Sequence, residues 1–126
     1  MIENNKVVAI RGATTTKTNT EKEILAKTEV LLKKILKENN IEIERIISII
    51  FTLTNDLDAI YPARAARDIG IREAALMCAQ EIPVPNSLKK CIRVMLHCYH
   101  PVEEKVRHIY LENAKTLRPD LMENQL

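Results

Sequence analysis

In the stretch "KKCIRVMLH", Arg93 stands between Ile92 and Val94, in the middle of what reads as a strand. Desolvating a guanidinium there is expensive unless something anionic meets it. Arg93 has company: Arg11 precedes Gly12, Arg64 and Arg67 lie one helical turn apart after Pro62, and Arg118 closes "TLRP". Each could pair with a nearby carboxylate or face water. Arginine forks at strand ends that converge on one hollow suit instead a ligand bearing more than one carboxylate. "CAQE" adds Cys78 and Glu81, and "HIYLE" adds Tyr110. A carboxylate and a phenol beside such a cluster can read a hydroxyl and a carboxylate on one ligand, although Glu81 could equally be a plain counterion and Cys78 plain packing.

Other chemistries find no support in the sequence. Ser, His and Asp form no nucleophile motif, Gly12 and Gly70 make no phosphate loop, and no H-E-x-x-H is present. His97, Cys98 and His100 are close in sequence, but alternation along a strand turns His97 away from the other two. The cluster is therefore expected to work without a metal or cofactor.

The elements that must position these residues follow from periodicity. "KVVAIRGA" reads as a strand stopped by Gly12, and the polar "TTTKTNT" as a loop. Thr20 and Glu23 have capping-box spacing, so a long helix begins there, with Ile24, Leu25, Leu31, Leu32, Ile35 and Leu36 on one face, and ends near Asn40. "ERIISIIFTLT" is apolar at consecutive positions and reads as a strand buried on both faces. "PARAARDIG" is a short helix between Pro62 and Gly70. The remainder reads as strands: "AALMCAQ", "CIRVMLHCY", and a pair around "RHIYLE" and "AKTLR". In "CIRVMLHCY", Ile92, Val94, Leu96 and Cys98 share one face, and Cys91, Arg93, Met95, His97 and Tyr99 the other.

The expected fold is α+β: a single domain over 1–126, a mixed sheet of about five strands, one long helix and short helical turns, with a mobile tail from about residue 119. One helix covers only one face of such a sheet. A second copy of the chain is the simplest cover for the other, with a small closed barrel as the alternative. The net charge of +2 and the 3% aromatic content give no case for nucleic acid. No apolar run approaches a membrane span. Three cysteines without a C-x-x-C pair favour a reducing compartment, hence a cytoplasmic protein.

The blocks "IRGATT", "YPARAARD", "CAQE", "LKKCIRVM" and "HIYLENAKTLRPDL", in this order across nearly the whole chain, resemble the monofunctional AroH-type chorismate mutases. The resemblance implies a cofactor-free rearrangement of chorismate to prephenate and a homotrimeric pseudo-α/β-barrel with active sites between subunits. Position by position, it implies that Arg93 faces the ether oxygen and one carboxylate, and that Arg11 and Tyr110 hold the side-chain carboxylate. Glu81 and the Cys78 region are implied to bind the ring hydroxyl. Tyr61, Ala63, Arg64 and Arg67 would come from the neighbouring subunit, with Leu117 and Arg118 on a closing tail. Tyr61 and Arg64 stand where Phe and Lys are familiar, and Asn86 stands where Gly is frequent, which Asn tolerates at positive φ. Two rivals would use similar arginines: an enamine or imine deaminase with an intersubunit cleft, and a non-catalytic carboxylate-binding trimer. The first leaves "CAQE" and "TLRPDL" unexplained, and the second has no need of Arg93.

Overall fold

The computed structural model describes residues 4–118. The expected tail from about residue 119 lies outside the described residues. In chain order the elements are β1 (Asn5–Thr15), α1 (Glu21–Glu38), a 3₁₀ turn (Ile43–Arg45), β2 (Ile46–Leu53), α2 (Ala63–Asp68), β3 (Ala75–Gln80), β4 (Cys91–Pro101), β5 (Ile109–Tyr110) and a second 3₁₀ turn (Glu112–Thr116). The α+β class, the five-stranded mixed sheet and the single main helix match the expectation. The strand order is β3-β2-β4-β1-β5, with β4 antiparallel to both neighbours and the two edge strands parallel to theirs. Among the described residues the sheet has two edges and does not close into a barrel.

The helix starts as its sequence dictates. Thr20 is the N-cap, and its hydroxyl accepts from the N–H of Glu23 at 3.2 Å. The Glu23 carboxylate, however, accepts from the N–H of Lys17 at 2.9 Å, so it ties down the preceding loop. Ile24, Leu31, Leu32 and Ile35 are fully buried against the sheet, and Thr28 fills the turn between them. This single apolar stripe covers one face, along which Ile10, Ile49, Phe51, Val94 and Leu96 meet it.

Four expectations need correction. Gly12 does not stop the first strand: β1 runs on to Thr15, which places Arg11 in mid-strand. Glycine is needed there for close approach, since a Cβ at position 12 would meet Ile35 Cδ1 at 2.7 Å and Val94 Cγ2 at 3.0 Å. "AKTLR" is no strand. Glu112 adopts φ 52, which no strand continues, and the chain turns into a 3₁₀ segment whose Ala114 packs beside Ala13 and Tyr110. β2 is not buried on both faces, because Ile50 faces outward and is 39% exposed. Arg93 is likewise not desolvated within one chain, its side chain being 47% exposed on the outer face.

That outer face carries several exposed apolar side chains. Val7, Ile50, Met77 and Tyr99 all project from it and are exposed. Cross-strand pairing sets Met77, Ile50, Met95 and Arg11 in one row, and Ala79, Thr52, Arg93, Ala13 and Tyr110 in the next.

Gly12→Ala should therefore cost about 1–3 kcal/mol, because the buried tips of Ile35, Val94 and Leu31 must move to admit a methyl group. Urea unfolding checks this, through a lower midpoint at unchanged slope.

Candidate active site

The two outer-face rows end in a cleft of about 280 Å³ lined by Arg11, Thr52, Glu81, Arg93 and Tyr110 over a floor of Ile50, Val94 and Met95. Each polar side chain is delivered by a different segment: Arg11 by β1, Thr52 by β2, Glu81 just past β3, Arg93 by β4 and Tyr110 by β5. Residues up to 99 positions apart in the chain (Arg11 to Tyr110) thus meet because Thr52, Arg93, Ala13 and Tyr110 are in register across the sheet.

Within the cleft, Arg93 Nε lies 3.6 Å from Glu81 Oε2. The same carboxylate oxygen accepts a hydrogen bond from the hydroxyl of Thr52. Thr52 aims Glu81, and Glu81 in turn restrains Arg93. The guanidinium keeps further donors for an incoming anion, since a planar fork carries five N–H groups. Beneath it, Cys91 is buried and its thiol is pushed up to about 11 by desolvation, against the opposing pull of Arg93. The thiol thus stays neutral beside the guanidinium.

Arg11 sits one row further along the same face. Its backbone N–H donates to Nδ1 of His108 at 2.9 Å. Burial first, then the charges of Arg11 and Arg118, hold the His108 pKa below its ordinary value. The sequence reading missed His108 and Thr52. The adjacency of His108 to Tyr110 in "RHIYLE" was a usable signal for the first, whereas nothing local marks Thr52.

The remaining candidates fall elsewhere within the chain. Cys78 pairs with Phe51 on the inner face of β3 and packs toward the core, so it does not share the cleft with Glu81. It lines a second hollow with Tyr61, Leu53, Leu57 and Asp58 at the free edge of β3. Burial raises its thiol pKa against the opposing pull of a hydrogen bond with the Ala63 backbone and of the Arg67 charge, so Cys78 and α2 are neighbours. Ala63 is buried, Arg64 and Arg67 are exposed on α2, and Tyr61 is 73% exposed. Leu117 packs against the group formed by Ala13, Cys91, Tyr110 and Ala114, which brings the chain leading to Arg118 close to the cleft. Asn86 has φ 65, the left-handed conformation anticipated for that position. Among the described residues no cluster of His, Cys, Asp and Glu could hold a metal ion, and no helix is long and apolar enough to cross a membrane.

An open α+β sheet here gathers two arginines, a carboxylate and a phenol over an apolar floor, a set of groups suited to a compact organic anion. Comparison with known proteins names the class further. Residues 7–121 match the family model described as chorismate mutase type I. The chain is 46% identical over 114 residues to chorismate mutase AroH of Bacillus subtilis (strain 168), covering 89% of this chain and 90% of that protein. It is 44% identical over 117 residues to chorismate mutase AroH of Thermus thermophilus, covering 91% and 96%. A solved chorismate mutase from Clostridium thermocellum superimposes with a TM-score of 0.83 at 53% identity, covering 86% of this chain and 98% of that one. The chain belongs to the type I, AroH-type family of chorismate mutases.

Thiol reactivity reports this burial directly. In the folded protein at about pH 8, Cys91 and Cys98, both raised to about 11, should carry thiolate at about one part in a thousand and resist iodoacetamide. In strong denaturant all three cysteines should label within minutes, as counted by intact mass.

Proposed function

We propose that this chorismate mutase converts chorismate to prephenate in sites completed between subunits of a homotrimer, without metal or cofactor, as a cytoplasmic step of phenylalanine and tyrosine synthesis. The observation that carries the reading is the division of the candidate residues. Arg11, Glu81, Arg93 and Tyr110 gather in one cleft, while Tyr61 and Cys78 line a different hollow of the same chain. A neighbouring copy, seated on the exposed apolar face formed by Val7, Ile50, Met77 and Tyr99, could bring its second hollow to the first cleft.

The rearrangement breaks one C–O bond and forms one C–C bond within a single molecule, so it needs no nucleophile. The protein's task is to select the compact conformer of a flexible dianion and to place positive charge where the ether oxygen becomes electron-rich. In this reading Arg93 spans the ether oxygen and one carboxylate, and Arg11 with Tyr110 holds the side-chain carboxylate. Glu81, oriented by Thr52, accepts from the ring hydroxyl. Arg64, Arg67, Tyr61 and Ala63 of the neighbouring subunit close the opposite wall, and Leu117 and Arg118 cover the entrance. The Arg93–Glu81 pair supports the assignment of Arg93, because it holds the fork near its working position before substrate arrives. Cys78, Cys91 and Cys98 are all free thiols, which fits a reducing compartment.

Loss of chorismate absorbance on adding purified protein measures the activity itself, and three variants apportion it. Arg93→Ala should lower kcat by at least about 10²–10³, the usual worth of one preorganised donor aimed at developing charge. Arg93→Lys should recover only part, since an ammonium is a point charge that cannot span two oxygens. Arg64→Ala should act mainly on KM. If Arg93→Ala keeps kcat within about tenfold of the parent, a barrier change of only about 1.4 kcal/mol, the role given to Arg93 is wrong.

Assembly has its own test. Arg67→Ala and Arg93→Ala proteins, mixed after reversible dissociation, should regain activity that neither shows alone, because mixed trimers contain some sites with both arginines. Sedimentation finding a fully active monomer would contradict the shared site.

A further inference from the structure

The backbone N–H of Arg11 points toward β5. Extending the parallel register of Gly12 with Ile109 back by one residue sets Arg11 opposite His108, and in a regular parallel ladder that N–H would bond to the carbonyl of Arg107. That carbonyl is instead engaged by Asn39, and the Arg11 N–H does not reach it. Asn39, at the C-terminal end of α1, donates from Nδ2 to Arg107 O at 3.0 Å and accepts from Arg107 N at 2.7 Å through Oδ1. A strand N–H left bare in a half-buried setting is costly, and the imidazole of His108 replaces the missing carbonyl, accepting at Nδ1 over 2.9 Å. As an acceptor, Nδ1 carries no proton, so the neutral ring holds its proton on Nε2.

We propose that His108 is the positioning residue for Arg11, holding its strand through ring Nδ1, so that Arg11 presents its guanidinium to substrate only while that nitrogen is unprotonated. The proposal rests on the reading that Arg11 binds a substrate carboxylate. Protonating Nδ1 sets N–H against N–H and breaks the bond. It also places an imidazolium beside Arg11 of β1 and Arg118 beyond the last 3₁₀ turn, the two charges acting on the ring, and both oppose it. Tyr110 lies two residues further along β5 and pairs with Ala13, so loosening this junction disturbs both groups assigned to the same carboxylate.

The direction of the pH effect follows. His108 titrates below 6.5 in the folded protein, so between that lowered value and 6.5 the unfolded chain binds more protons than the folded one. Stability from this group is complete above 6.5 and declines as pH falls through the window. Activity should decline with it.

The experiment combines nitrogen NMR of substrate-free, ¹⁵N-histidine-labelled protein with pH profiles of kcat/KM for the parent, His108→Leu and His108→Asn. Asn can place Oδ1 where Nδ1 stands and has no proton to gain. At neutral pH, Nδ1 should be bare and Nε2 protonated, and the acid limb of the parent should coincide with the NMR titration of His108. His108→Leu should lose about tenfold or more in kcat/KM at neutral pH. His108→Asn should recover most of that loss and lack the His108 limb, which keeps the test decisive even if the leucine variant folds poorly. Nδ1 protonated at neutral pH, an unchanged acid limb in His108→Asn, or parental activity in His108→Leu would each overturn the proposal. Arg11→Ala separates the two levels. Unaltered kcat/KM in that variant would sink the reading of Arg11 itself, whereas a collapse there with an unchanged limb in His108→Asn would sink only the role of His108.

Discussion

The strict alternation of side chains along β4 is the constraint from which the site follows. Val94 and Leu96 are buried under α1, so Arg93 and Met95 must face the other way. A guanidinium in the middle of a sheet is tolerable because that outer face is open to water and to a carboxylate within a single chain. Burying Arg93 on the helix side would require desolvating it among isoleucines and leucines. Cross-strand pairing then propagates the division. Once β4 has a polar position opposite Ala13 and Thr52, those neighbours inherit the same face, and Arg11 and Tyr110 arrive there by register.

Electrostatics finishes what the pairing begins. Thr52 donates to Glu81, and Glu81 sits within salt-bridge reach of Arg93. As an exposed ion pair this contributes little to folding stability. Its value is positional: two ionised groups already stand at fixed places on an apolar floor, where added charge is poorly screened once water leaves. Restraint that precedes binding lowers the entropy lost on ordering a dianion.

The helix face and the open face have separate demands on the sequence. Under α1, packing is tight enough to favour glycine at position 12, where the tips of Ile35 and Val94 crowd a Cβ. On the outer face, Met77 and Val7 remain exposed. These are the side chains on which the proposed neighbouring copy would sit.

How much of this was legible in advance depends on the range of the interaction responsible. The N-cap at Thr20, the amphipathic stripe of α1, the turn at Gly70 and the two faces of β4 are consequences of neighbours within a few residues, and the sequence by itself determined them. The blocks carrying Arg11, Glu81, Arg93 and Tyr110 were also readable as a family resemblance. Longer-range features escaped that reading. Gly12 looked like a strand stop, because its reason lies in a helix side chain more than twenty residues away. "AKTLR" looked like a strand, because β propensity says nothing of the positive φ at Glu112. The odd offset between Cys78 and Glu81 along an extended chain sends their side chains to opposite faces within one chain, a placement that only the register makes visible. Only the tertiary structure decided that Thr52 aims Glu81 and that His108 stands in for a carbonyl diverted to Asn39, since both depend on register and on which backbone groups other segments have already claimed.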